Sequence, residues 1–175
     1  VGSEMCIRDR IRSVDENMDK FEFINVGTEL YRFIWDDFCS WYIELSKLHL
    51  TGDDEVAKKS ALNTLVYVLN TIVRLLHPIM PFVTEEIYQA IPHNEESIVI
   101  SKWPEVNPVY DNDTINDQFT YLIDIIKGVR EIRHTYVIKN SIEVDYTITT
   151  KQDDLETLLK EIAPYVSKLV NATCV

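Results

Sequence analysis

The chain has 175 residues, with 17 Lys+Arg against 29 Asp+Glu and a formal net charge of −12. Hydrophobic residues make up 46% and charged residues 26%, and there are only 4 Gly and 6 Pro. These figures exclude a disordered tail, a collagen-like chain and a general polybasic nucleic-acid binder, but they allow a local basic stripe on an acidic body.

Residues 1–10 show no continuity with the pattern that follows and are read as a non-native leader. Residues 11–20 read as the tail of a helix whose beginning is missing. Residues 21–47 read as one long helix whose stripe is Leu30, Ile34, Phe38, Trp41 and Leu45. On the same wheel Phe33 falls away from that stripe, among Glu29, Asp37, Ser40 and Glu44. A loop follows, in which Asp53 or Asp54 can cap the next helix. Residues 55–77 carry the cleanest period, with Leu62, Leu65, Val66, Leu69, Ile72, Val73 and Leu76 on one face. His77-Pro78 stops that helix, and Pro81 suits the first turn of another. Pro92 to Glu96 is a loop, and Ile98-Val99-Ile100 reads as a short extended piece.

A second long helix spans about 113–136, with Phe119, Leu122, Ile126 and Val129 as its buried face. Lys127, Arg130 and His134 share another face, with Arg133 beside them. Ile142, Val144, Tyr146 and Ile148 then alternate with polar residues, the period-two pattern of a half-buried strand over 142–149. Residues 153–170 read as helical and broken near Pro164. A lone strand and helix cannot bury a sheet face, so partner strands are expected beyond Val175. The fold class is mainly α: a helical bundle over 11–138, then the start of a small, truncated α/β subdomain over 139–175.

No catalytic motif is present: no G-x-G-x-x-G, no G-x-x-x-x-G-K-[ST], no H-E-x-x-H and no G-x-S-x-G. The adjacent pairs Asp36-Asp37 and Glu85-Glu86 diverge by about 100° on a helix and do not converge as an acid/base pair. Cys6, Cys39 and Cys174 form no C-x-x-C pair and lie at no zinc-ligand spacing from a His, so neither a metal site nor a disulfide framework is expected. A reduced, cytoplasmic protein without membrane contact fits this usage and the lack of an apolar run of roughly 18 residues.

Two segments carry a resemblance. Leu30-Tyr31-Arg32-Phe33-Ile34-Trp35-Asp36-Asp37-Phe38-Cys39-Ser40-Trp41-Tyr42-Ile43-Glu44 resembles a hallmark segment of valyl-tRNA synthetases. Leu75-Leu76-His77-Pro78-Ile79-Met80-Pro81-Phe82-Val83-Thr84-Glu85-Glu86 is similar to a second segment of the same class Ia family. Ser101-Lys102-Trp103-Pro104 and Val129-Arg130-x-Ile132-Arg133 fit in order and spacing, and the likeness covers about residues 12–150. The resemblance implies an all-α anticodon-binding bundle that grips the anticodon stem-loop of valine tRNA. It also implies a valine–tRNA ligase as parent, with an upstream catalytic domain of the same chain that uses ATP and Mg. The family's His-x-Gly-His and Lys-Met-Ser-Lys-Ser signatures do not occur here, so no catalytic residue and no cofactor are expected in these 175 residues.

Under that reading the candidate tRNA-binding residues are Arg32, Phe33, Glu95, Glu96, Lys127, Arg130 and Arg133. An exposed Phe33 beside Arg32 would offer a loop base a stacking platform; the alternative is that a neighbouring segment covers Phe33. Lys127, Arg130, Arg133 and His134 can hold phosphates, or pair along the helix with Asp124 and Glu131. Glu95 or Glu96 can accept from a cytosine amino group. Two rivals share the sequence evidence: an isoleucyl-tRNA synthetase fragment, and a helical protein-interaction module without RNA binding.

Overall fold

The structure, a computed structural model, describes residues 2–106, 113–148 and 154–174, without the side chains of 2–6, 113–118, 154–158, 161 and 174. The side chains of Cys6 and Cys174, and Thr149 at the end of the expected strand, lie outside that description. The chain divides into two compact units, Val1–Asn112 and Asp113–Val175. The divide precedes the second long helix, whereas the sequence reading placed the boundary at 138/139.

In the first unit, α1 (Gly2–Asp19) runs without interruption from residue 2 across residue 10. Ile7, Ile11 and Val14, spaced four and three apart, form one stripe that is at most 1% exposed. Phe21, with φ 59°, turns the chain, and Glu22 N–H closes back on the Asn17 carbonyl at 2.8 Å. α2 (Phe23–Arg32) then leads into a π-helical segment, Phe33–Tyr42, and on into α3 (Ile43–Leu50).

The π segment corrects the placement of Phe33. Far from being a platform on the polar side, Phe33 is 1% exposed and joins the core with Val26, Leu30, Phe38 and Tyr42. Residues five apart on an α-helix diverge by about 140°, so an α wheel separates Phe33 from Phe38. In an i→i+5 register they lie one turn apart on the same side. Ser40 Oγ reinforces this register by donating to the Trp35 carbonyl, five residues back, at 2.6 Å. The Phe38 and Tyr42 rings stack with centroids 6.0 Å apart.

Asp54 caps α4 (Glu55–Leu76), accepting from the N–H groups of Val56 and Ala57 at 2.9 and 3.1 Å. Val68, Ile72 and Leu75 complete the core formed by α1, α2 and the π segment. Leu62, expected on that face, is 52% exposed, because the buried stripe holds only the second half of α4. Val73, on another side of α4, packs with Tyr88 and Ile98 in a second, smaller cluster.

α5 (Pro81–Ala90) opens with Pro81 in its first turn, as its missing N–H favours. Thr84 Oγ1 donates to the Met80 carbonyl at 2.8 Å, so its lone pairs are left for His77 Nδ1–H, also at 2.8 Å. That bond ties the end of α4 to the start of α5. Glu85 Oε2 accepts from Ser97 Oγ at 2.8 Å and from Ile98 N–H at 3.1 Å, while Oε1 accepts from Gln89 Nε2 at 2.7 Å. Ile98–Ile100 is a 3-10 turn, not the extended piece expected. Glu85 holds its first N–H, and the turn closes on itself through Ser101 N–H and the Ile98 carbonyl at 3.0 Å.

In the second unit, α6 (Asp113–Thr135) packs against α7 (Asp154–Val170). Leu122 and Ile126 face inward from α6, and Ile162, Val166 and Val170 from α7. Pro164 lies inside α7 without breaking it, since that buried stripe spans the proline. β1 is short, Val144–Tyr146, and pairs in parallel with β2, Ala172–Cys174. The partner strand expected beyond Val175 is thus found within the chain, in a strand–helix–strand unit.

Two outcomes follow from this packing. Phe33→Ala should destabilise the chain by about 3–5 kcal/mol in urea titrations, the cost of emptying a core aromatic site. Glu85 supplies a pH signature: hydrogen bonds from Gln89, then Ser97, hold its carboxyl below the ordinary range. Its stabilising contribution is complete above the ordinary carboxylate pKa and is lost as pH falls through the lowered folded value. The melting-temperature gap between the chain and Glu85→Gln should therefore shrink from about pH 7 to about pH 3.

Candidate nucleic-acid interface

The structure separates the sequence-derived candidates into three groups. Arg32 is exposed at the end of α2, but its neighbour Phe33 is core, so the proposed ring-and-guanidinium platform does not exist. Glu95 and Glu96 are exposed in the loop after α5. Lys127, Arg130 and Arg133 all lie on α6, with Lys127 and Arg130 exposed.

Arg133 is not an open phosphate ligand. It is 3% exposed, and its guanidinium donates to the carbonyls of Lys139, Ile142 and Asn171 at 3.0, 2.9 and 2.7 Å. These bonds tie the end of α6 to the chain before β1 and to the turn before β2. The side chain is a clamp within its unit, adding a second donor at the Lys139 and Asn171 carbonyls, which also accept from the N–H groups of Ile142 and Val144.

The acidic loop of the first unit is built more firmly than its sequence suggests. Asn70 Nδ2 on α4 donates to the Pro92 carbonyl at 3.0 Å, and Gln89 Nε2 donates to the Glu96 carbonyl at 2.8 Å. The His93 ring lies against Tyr88 with centroids 4.9 Å apart, held by a 2.7 Å bond to the Ile91 carbonyl. Together with the Glu85 bonds, these contacts fix both ends of residues 91–98. Beside the loop is an open cleft of about 340 Å³, lined by Asn70, Arg74, His93, Asn94, Glu95 and Lys102 among others. Arg74 donates to the Asn70 and Lys102 carbonyls, each at 3.2 Å, and so sets the cleft's floor. Amide, guanidinium, carboxylate and imidazole groups thus converge on one concave patch, the donor and acceptor mixture that reads the edge of an unstacked base.

The sequence reading missed Asn70 and Arg74, although four residues apart on the polar side of α4 they are neighbours. A second cleft, of about 860 Å³ in the second unit, gathers Arg130, Arg133 and His134 with Lys139 and Lys168. The two lysines were also missed, since one sits in a turn and the other closes a helix 29 positions later. Among the described residues no group of His, Cys, Asp and Glu could hold a metal ion, and no helix is long and apolar enough to cross a membrane. Partial burial pushes the Cys39 thiol pKa up, away from a reactive thiolate.

The family described as the anticodon-binding domain of tRNA ligase matches residues 6–148. Similar proteins include the valine–tRNA ligases of Anoxybacillus flavithermus, Bacillus subtilis and Geobacillus stearothermophilus, 44%, 43% and 42% identical over 94% of this chain. The chain spans only 19% of the length of each. This chain belongs to the family of anticodon-binding domains of tRNA ligases.

Proposed function

We propose that the chain is the tRNA-recognition part of a cytoplasmic valine–tRNA ligase and that it holds the anticodon stem-loop of valine tRNA. The observation that carries this reading is the likeness to valine–tRNA ligases across nearly the whole chain. The same likeness favours valine over the isoleucine reading. The fixed loop at 91–98 supplies a place for base edges, and its rigidity lowers the ordering cost of binding.

The parent enzyme attaches valine to its tRNA, with ATP and Mg as its cofactors. The residues present here do not fit those groups: the sequence has no phosphate-cradling glycine loop, and the described residues hold no metal-ligand cluster. We assign adenylate formation to an upstream catalytic domain of the same polypeptide, on the likeness to valine–tRNA ligases of which this chain spans 19%, and no step of it to these residues.

Two measurements test the reading. The isolated chain should bind a fluorescent valine-tRNA anticodon stem-loop weakly, with affinity falling steeply between about 50 and 200 mM salt. A changed anticodon should weaken that binding, and Glu95→Ala with Glu96→Ala should abolish the distinction, worth about 1–3 kcal/mol per base contact. Equal affinity for both anticodons in the unsubstituted chain would overturn anticodon reading. The chain should also support no valine-dependent ATP–pyrophosphate exchange, and exchange above background would overturn the assignment of catalysis to other sequence.

A further inference from the structure

The second unit carries a feature that the anticodon loop does not explain. Residues 113–175 contain seven Lys+Arg and ten Asp+Glu, so this unit is acidic overall. Yet four of its seven cations, Arg130, Arg133, Lys139 and Lys168, line a single cleft with His134, and among the described residues no carboxylate does. Helix dipoles account for part of this placement, because Arg133, His134 and Lys168 lie in the last turns of α6 and α7. They do not account for Lys139, which lies beyond α6.

Arg133 sharpens the point. Its guanidinium is buried and bonded only to neutral carbonyls, so its charge has no counter-ion among the described residues. Its Nε–H is buried and without a hydrogen-bond partner there. A buried charge ordinarily has an anionic partner. Among the described residues, the groups beside it in the cleft are further cations and neutral side chains. An anion held by Lys139 and Lys168 would supply Arg133 with a counter-charge. The carbonyl ends of the turns, which would disfavour an anion, are occupied by Arg133 itself.

We propose that this cleft is a phosphate site for the sugar–phosphate backbone of bound tRNA, with Lys139 and Lys168 as its ligands and Arg133 as its buried positive floor. The proposal rests on the tRNA-binding reading above and adds to it a contact that carries no sequence information. The two lysines flank the cleft from different elements, one in the turn after α6 and one at the end of α7, and both are exposed. An open cleft of about 860 Å³ admits a backbone segment and not only a single ion.

The test uses the whole 175-residue chain and a full valine tRNA transcript, read by fluorescence anisotropy across a salt series. The variants are Lys139→Gln with Lys168→Gln, and as a control of equal charge Lys58→Gln with Lys59→Gln in the first unit. The cleft variant should melt like the parent, bind about tenfold more weakly, and show a salt slope smaller by about two. The loss should be the same for a transcript with a changed anticodon, and the control should lose much less. A cleft variant with unchanged affinity and slope would overturn the phosphate site while leaving anticodon reading intact. A control that falls as far as the cleft variant would reduce the effect to net charge and overturn the site. A loss confined to the cognate anticodon would overturn a backbone contact, and a parent chain that binds no tRNA would overturn this proposal together with the reading on which it rests.

Discussion

Phe33, Phe38 and Tyr42 must reach one core from positions five and four apart, and an ordinary α-helix cannot turn all three the same way. The π-helical register over Phe33–Tyr42 is the solution, and the first unit is arranged around it. It lets α2 present Val26 and Leu30 to the same interior that receives Phe38 and Tyr42 from the widened turns. That interior then has room for the Ile7–Ile11–Val14 stripe of α1 and for the Val68–Ile72–Leu75 stripe of α4. A return to α register would rotate Phe38 away from Phe33 and leave an aromatic-sized void in the core, which packed interiors do not tolerate.

α4 connects this core to the interface. Its inner stripe completes the aromatic core, Val73 on another side anchors Tyr88 and Ile98, and its polar Asn70 and Arg74 set the loop and the cleft floor. The His77–Thr84 bond fixes how α5 leaves α4, and Glu85 on α5 then fixes where Ser97 and Ile98 lie. The segment from His77 to Glu85 is thus a positioning device. None of its side chains needs to touch RNA to decide whether residues 91–98 present their groups in one arrangement or many.

Much of this was legible in the sequence. Proline at 78 and 81 marked the α4–α5 corner, Asp53 or Asp54 marked a cap, and the period of residues 55–77 marked a face that is buried in its second half, because each rests on local rules of backbone and periodicity. Phe33 was misread because the wheel assumed a single helical period through a segment that changes register. The strand partner of β1 was sought beyond Val175 because Ala172–Cys174 is too short to show alternation. Arg133 was read as a surface cation because its acceptors, the carbonyls of Lys139, Ile142 and Asn171, belong to turns whose positions no one-dimensional pattern reveals. The basic cleft was invisible for the same reason. Lys139 and Lys168 become neighbours only when α7 folds back to bring β2 beside β1.

An acidic protein that holds a polyanion has to concentrate its few cations, and the second unit shows how that is done. A βαβ unit brings the ends of two helices together, and helix C-termini favour cations in their last turns. Folding alone therefore assembles Arg133, His134 and Lys168, and the turn adds Lys139. Arg133 is turned inward onto the turn carbonyls of Lys139, Ile142 and Asn171, while Lys139 and Lys168 stay exposed at the open cleft. In this arrangement the overall charge, which at first counts against RNA binding, restricts where a phosphate backbone can approach, and so contributes orientation where sequence-independent attraction alone would contribute none.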